Sequence, residues 1–145
     1  MLVRGEWWTC DDGASRPTVR AWITDADGGS FRERFIVDSG SDRTVFRALL
    51  LESLHFTAVP ESGLTLVGIG GASDFLSVSA VLEFLRDDGE LARVRGRYSV
   101  FTDPAASDMS ILGRDVLDNF DVILSRPGDD VLLLSQSHQY RVVRV

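Results

Sequence analysis

No lysine occurs in the 145 residues, and all fifteen basic side chains are arginine. They stand against twenty-two aspartates and glutamates, which leaves a formal charge of −7. That deficit of positive charge argues against nucleic acid or an anionic membrane as partner, since both favour basic faces. Cysteine is almost missing too. The single Cys10 excludes an intramolecular disulfide. With two histidines in the chain, no Cys/His cluster of zinc spacing forms, and neither metal nor cofactor is expected. No apolar run approaches the ~20 residues a transmembrane helix needs. The opening Met1-Leu2-Val3-Arg4-Gly5-Glu6-Trp7-Trp8 lacks the apolar stretch of a signal peptide. A cytoplasmic address without membrane contact is therefore the expectation. Fixed-period repeats, low-complexity stretches and linkers are also absent. A chain of this length, 44% hydrophobic, is expected to form one domain over residues 1–145.

What the chain does contain is a series of short apolar runs punctuated by turn residues, which reads as mostly β. Thr18 to Thr24 alternates, Asp25 to Gly29 supplies a turn, and Phe31 to Val37 returns as the partner strand. Arg47 to Phe56 carries Leu50, Leu51 and Leu54 at helical spacing and is expected to be a short helix. Leu64 to Gly71 reads as a strand entering a glycine-rich tip, and Phe75 to Arg86 as a long strand leaving it. Asp87-Asp88-Gly89 then turns into Glu90 to Phe101. After a loop from Asp103 to Ser110, Ile111-Leu112-Gly113 reads as a short buried strand and Arg114 to Asn119 as one or two helical turns. Asp121 to Ser125 and Val131 to Ser135 form a last hairpin. Tyr140 to Val145 is a terminal strand without a partner in sequence order.

The densest chemistry lies in Phe35-Ile36-Val37-Asp38-Ser39-Gly40-Ser41-Asp42-Arg43-Thr44-Val45-Phe46. An apolar, β-branched run delivers one carboxylate, Asp38, to a tight turn. Gly40 suits a backbone geometry that other residues resist, and the Ser39 hydroxyl can bond locally. Two further motifs follow in order, Val67-Gly68-Ile69-Gly70-Gly71 and Ile111-Leu112-Gly113-Arg114-Asp115. Together the three resemble the retropepsin-like aspartic proteases, single-domain relatives of pepsin, over roughly Thr18 to Leu134. The helix after the Asp38 loop and the arginine bias look more like cellular or bacterial members than viral ones.

The resemblance implies a closed, barrel-like acid-protease fold, one lobe per chain, with one or two short helices and a two-fold homodimer. It implies that Asp38 is catalytic. The triplet Asp-Ser-Gly occurs once here, while an aspartic protease needs two carboxylates that share one proton. The second must come from a second copy. Ser39 and Gly40 match the active-site loop. Gly68, Ile69, Gly70 and Gly71 match the flap that closes over a bound peptide, and Ile36, Val45 and Ile111 match apolar pocket positions. Asp42 and Arg114 match a partly buried ion pair that braces the loop, and Gly113 the strand that crosses beneath it. Arg43 departs from viral relatives that carry an acidic residue there. Residues 1–17 match nothing in the pattern. Tyr140 to Val145, with Met1 to Arg4, is the expected dimer sheet, because it is otherwise an exposed apolar edge.

The alternative function is a silent module of the same fold that binds an extended peptide or dimerises. A further alternative is a protease activated by trimming of its first segment. Less specific signals read as structural: Glu61-Ser62-Gly63 as a loop, His55 and His138 as isolated, and the Asp pairs at 11–12, 87–88 and 129–130 as solvated turns. Trp7 and Trp8 read as packing residues.

Overall fold

The computed structural model describes residues 1–25, 27–54, 59–60, 66–68, 71–73 and 75–135, with the backbone alone at 59–60, 66–68 and 71–73. In chain order the strands are β1 (Leu2–Arg4), β2 (Glu6–Thr9), β3 (Ser15–Thr24), β4 (Ser30–Val37) and β5 (Val45–Phe46). Helix α1 (Leu50–Ser53) follows, then β6 (Val59–Pro60), β7 (Leu66–Gly68), β8 (Gly71–Ser73), β9 (Phe75–Leu85), β10 (Leu91–Phe101) and β11 (Ser110–Leu112). Helix α2 (Arg114–Leu117), β12 (Asp121–Ser125) and β13 (Asp130–Leu134) complete the described chain.

Two long hairpins form the frame. In β3, Val19, Ala21 and Ile23 alternate inward, as strand periodicity requires, and β4 answers with Phe35 and Val37. Their turn is set by chemistry. The Asp25 carboxylate accepts the backbone N–H groups of Asp27 (3.0 Å) and Gly29 (2.7 Å), and Gly28 takes φ +81°. The second hairpin pairs β9 with β10 from Leu85↔Leu91 to Phe75↔Phe101, around Gly89 at φ +85°. Positive φ costs glycine no Cβ clash, which is why each turn carries one.

The order β2-β3-β4-β11-β5-β10-β9-β6, with β3 also paired to β9, closes six strands into a barrel. Closure removes the free edges of an open sheet. Inside, Phe46 sits between Phe35 (ring centroids 5.9 Å apart) and Tyr98 (5.5 Å), with Phe84, Leu82, Leu112 and Leu50 fully buried around them.

A second sheet, β1-β13-β12, lies against the barrel. Val3, Val131 and Leu133 join the main core, while Leu2, Leu132 and Leu134 cluster with Ile123 on the other face. Residues 1–17 are thus integral to the fold. The Trp7 indole N–H is shared between the carbonyls of Ser125 (3.3 Å) and Asp130 (3.2 Å), and a Cβ at Gly5 would sit 2.1 Å from the Thr18 carbonyl oxygen. Trp8 is exposed beneath the Arg34 guanidinium, 3.6 Å from the ring centroid.

Three expectations need correction. The helix expected over Arg47 to Phe56 is one turn, Leu50–Ser53, because Val45 and Phe46 extend into β5 and Arg47 turns to pair with Glu33. The strand leaving the glycine-rich tip, expected from Phe75, is preceded by a separate short strand, β8 at Gly71–Ser73, which pairs with β7. Met1 to Arg4 is not an unsatisfied dimer edge: β1 pairs with β13 of its own chain, Leu2↔Leu134 to Arg4↔Leu132, and on its other side the Leu2 carbonyl accepts the Asp87 N–H (2.9 Å) while the Leu2 N–H donates to Asp87 Oδ1 (3.2 Å). Tyr140 to Val145, His55, Phe56, Glu61-Ser62-Gly63 and His138 lie outside the described residues. No helix of the described chain is long and apolar enough to cross a membrane.

Phe46→Ala empties the centre of the barrel. The expected loss is about 3–5 kcal/mol, measured by urea unfolding. A loss below ~1 kcal/mol would mean that Phe46 is not the packing centre.

Candidate active site

Strand β4 delivers Asp38 to the barrel rim. The Asp38 N–H donates to the Leu112 carbonyl (3.0 Å), which extends the parallel pairing of β4 with β11 by one residue. The chain then turns on the side chain itself. Asp38 Oδ1 accepts the Gly40 N–H (2.9 Å), and the Asp38 carbonyl accepts the Ser41 N–H (3.1 Å). Such Asx geometry is how Asp sets a turn. It leaves the carboxylate half-buried, with Ser39 and Gly40 exposed beside it. One correction applies to Gly40, whose φ is not positive. Its smallness matters instead, because a Cβ there would lie 3.1 Å from Asp38 Oδ1.

The three apolar residues tied to the pockets come together as one row. Ile36 pairs with Ile111, and Ile111 pairs with Val45, across β4, β11 and β5. Paired residues share a face, and Asp38 lies two positions beyond Ile36. Ile36 and Ile111 are half-buried. Val45 is buried with Ala48 and Phe101 in a small cluster outside the main core, so it forms the floor of this row rather than an open wall.

Beneath the Asp38 loop, the chain leaving β11 crosses the chain entering β5. A Cβ at Gly113 would lie 2.4 Å from the Arg43 carbonyl carbon and oxygen, so only glycine fits this crossing. Thr44, fully buried, locks it. Its N–H reaches both Asp115 carboxylate oxygens (2.9 and 3.0 Å), its hydroxyl donates to Asp115 Oδ1 (2.6 Å), and the Gly113 N–H donates to the Thr44 hydroxyl oxygen (3.0 Å). The Arg114 N–H also donates to the Ser41 carbonyl (2.8 Å). Asp42 and Arg114 do form an ion pair, but not a partly buried one: their side chains are 77% and 52% exposed. Water competes for such a pair, so it contributes little. Thr44 and Asp115 were not singled out from the sequence. Their signal was available in the Gly-Arg-Asp triplet, where Asp115 occupies the first turn of α2.

Gly68 pairs with Gly71 and Leu66 with Ser73, so the glycine-rich motif is a hairpin that pairs with no barrel strand among the described residues. Ile69 and Gly70 lie outside the described residues. Tyr98, which shares a cavity with Arg43 and Asp115, donates its hydroxyl to the Val94 carbonyl (2.9 Å). Burial, and then the charge of Asp115, push its pKa above the ordinary tyrosine range.

No family model and no curated protein matches the sequence. Solved structures do match in fold. EIAV protease in complex with the inhibitor HBY-793 superposes with a TM-score of 0.53 at 22% identity, over 71% of this chain and 86% of that one. A retropepsin-like aspartic protease from Rickettsia conorii superposes with a TM-score of 0.59 at 15% identity, over 92% of this chain and 97% of that one. The fold is retropepsin-like, a mostly β closed barrel with short helices.

The two braces under the loop separate in a stability measurement. Thr44→Val strands the Gly113 N–H and takes the hydroxyl bond, though not the backbone ones, from the Asp115 carboxylate, at an expected cost of about 2–3 kcal/mol in urea unfolding. Asp42→Asn is expected to cost less than about 1 kcal/mol. The reverse ranking would make the ion pair the brace.

Proposed function

We propose that this chain, with its retropepsin-like fold, is one half of a homodimeric aspartic endopeptidase. The observation that carries this reading is Asp38: a half-buried carboxylate at the barrel rim, aligned with the row Ile36–Ile111–Val45. In the proposed dimer, two Asp38 carboxylates flank one water and hold one proton, since like charges at that distance do not both ionise. The ionised one takes a proton from the water, whose oxygen attacks the scissile carbonyl. The protonated one donates toward the amide that leaves. No metal or cofactor takes part in this scheme.

The other assignments follow from it. Ser39 and Gly40 shape the loop at the two-fold axis, and Gly113, with Arg114 and Asp42 beside it, supports that loop from below. Gly68, Ile69, Gly70 and Gly71 form a flap whose closure excludes water and strengthens electrostatics at the dyad. Ile36, Ile111 and Val45 favour apolar residues beside the cut. Substrate lies extended and adds β-type backbone bonds.

The sheet β1-β13-β12 supports the dimer. Its edge strand β12 exposes Val122 (36%) and Leu124 (43%). Among the described residues β12 has no partner on its outer side, and an apolar edge of that kind is a liability unless another chain covers it. An isologous contact there makes the assembly two-fold, as a shared dyad requires.

Incubation with a diverse peptide library from about pH 4 to about pH 8 tests the reading. The wild-type chain is expected to cut, and Asp38→Asn to lose about 10³-fold in rate while remaining dimeric. The rate is expected to fall on both sides of an optimum, where the dyad carries no proton or two. Peptide binding without cleavage by the folded dimer would favour the silent binding module. Leu124→Arg is expected to give monomers in sedimentation and to abolish cleavage. An active monomer would refute the shared site.

A further inference from the structure

We propose that the cavity beside the Asp38 loop, about 310 Å³ and lined by Arg43, Ser77, Arg97, Tyr98, Ser99 and Asp115, selects an acidic side chain of the substrate. This inference rests on the extended-peptide reading above and adds the substrate class that the reading leaves open.

The cavity and the Asp38 site share one surface. The row Ile36–Ile111–Val45 continues through Ser99 on β10 to Ser77 on β9. Two positions before Val45 stands Arg43, in the bend that leads into β5; two before Ser99 stands Arg97 on β10; and two beyond Ile36, just past β4, stands Asp38. On β10 Arg97 shares a face with Ser99, and Arg43 lines the same cavity as both. Gly113 lies between Asp38 and Arg43, with its Cα beside the Arg43 backbone. At ~4.8 Å per strand, Arg43 lies about 10 Å and Arg97 about 14 Å along the row from Asp38. An extended peptide advances ~3.3 Å per residue, so these guanidiniums meet a side chain about three or four residues from the cut.

The charges point to a carboxylate. The described ion pairs occupy Arg16, Arg20, Arg34, Arg47, Arg86, Arg93, Arg114 and Arg126. Arg43 and Arg97 have no such partner among the described residues, and Arg43 instead lies over the Phe75 ring, 5.5 Å from its centroid. Arg43 and Arg97 line one cavity of about 310 Å³, where two positive charges repel each other. In a chain of net charge −7, that arrangement is costly unless an anion relieves it. The one carboxylate of the lining, Asp115, is turned to Thr44 and accepts from its N–H and its hydroxyl. The Ser77 and Ser99 hydroxyls supply further donors at the cavity floor.

The test uses decapeptide mixtures with an apolar central pair and a single Glu, Gln or Lys at each flanking position. Cleavage by the wild-type dimer is read by mass spectrometry, and binding to Asp38→Asn by calorimetry. Glu is expected to beat Lys about tenfold at one position three or four residues from the cut. Arg43→Glu with Arg97→Glu is expected to invert that order, and Arg43→Gln with Arg97→Gln to level it. Glu preference in binding without any cleavage would support the subsite while refuting the peptidase. Peptides cut with equal preference for Glu, Gln and Lys would overturn the subsite and leave the peptidase standing. A Glu preference that survives both charge changes would overturn the assignment to Arg43 and Arg97. Neither cleavage nor binding of any peptide would overturn both.

Discussion

The crossing of two backbones at Gly113 and Arg43 is the constraint on which the rest depends. With a Cβ at Gly113 only 2.4 Å from the Arg43 carbonyl, the two segments touch without an intervening side chain. That contact lets β11 insert between β4 and β5, parallel to one and antiparallel to the other. The insertion closes the barrel, and it places the Leu112 carbonyl where the Asp38 N–H finds it. Thr44 then ties the crossing to α2 through Asp115. A carboxylate that has to meet its partner's within a few tenths of an ångström needs a loop held this way, from packed strands rather than from flexible surface.

A second constraint is arithmetic. One Asp-Ser-Gly triplet supplies one carboxylate, and acid and base roles need two groups in different protonation states. In the proposed dimer, symmetry supplies the second group, and the shared proton breaks the symmetry. In that proposal such a partner also covers one surface of this chain. Its barrel hides its edges, but β12 leaves Val122 and Leu124 exposed on the adjoining sheet. Charge is distributed to match. The acidic surplus is spread over turns such as Asp87-Asp88 and Asp129-Asp130, whereas Arg43 and Arg97, without an ion-pair partner among the described residues, stand next to the apolar row.

Much of this architecture was legible in the sequence, and the reasons are specific. The β3–β4 and β9–β10 hairpins announce themselves through period-two alternation and through Gly28 and Gly89 at their turns. Asp38 was legible because a β-branched run ends on it. Strand β1 was not, since its partner β13 lies more than a hundred residues away and no local pattern specifies it. The same holds for Asp115, whose role depends on Thr44, 71 positions earlier. The Asp42–Arg114 pair was legible as a pair, but exposure is a property of the folded surface that spacing does not encode. Arg97 joins Arg43 only through the β5–β10 register, which short β5 hides.

The central claim is that one active centre needs Asp38 from two chains. Mixing wild type with Asp38→Asn, under conditions that allow subunits to exchange, tests it most directly. With random pairing, an equal mixture contains about one quarter of its dimers with two intact carboxylates, so the rate per total protein should fall to about one quarter of the pure wild-type value. Activity should follow the square of the wild-type fraction. A linear fall, to about one half in the equal mixture, would mean that each chain acts alone, and the shared centre would be wrong.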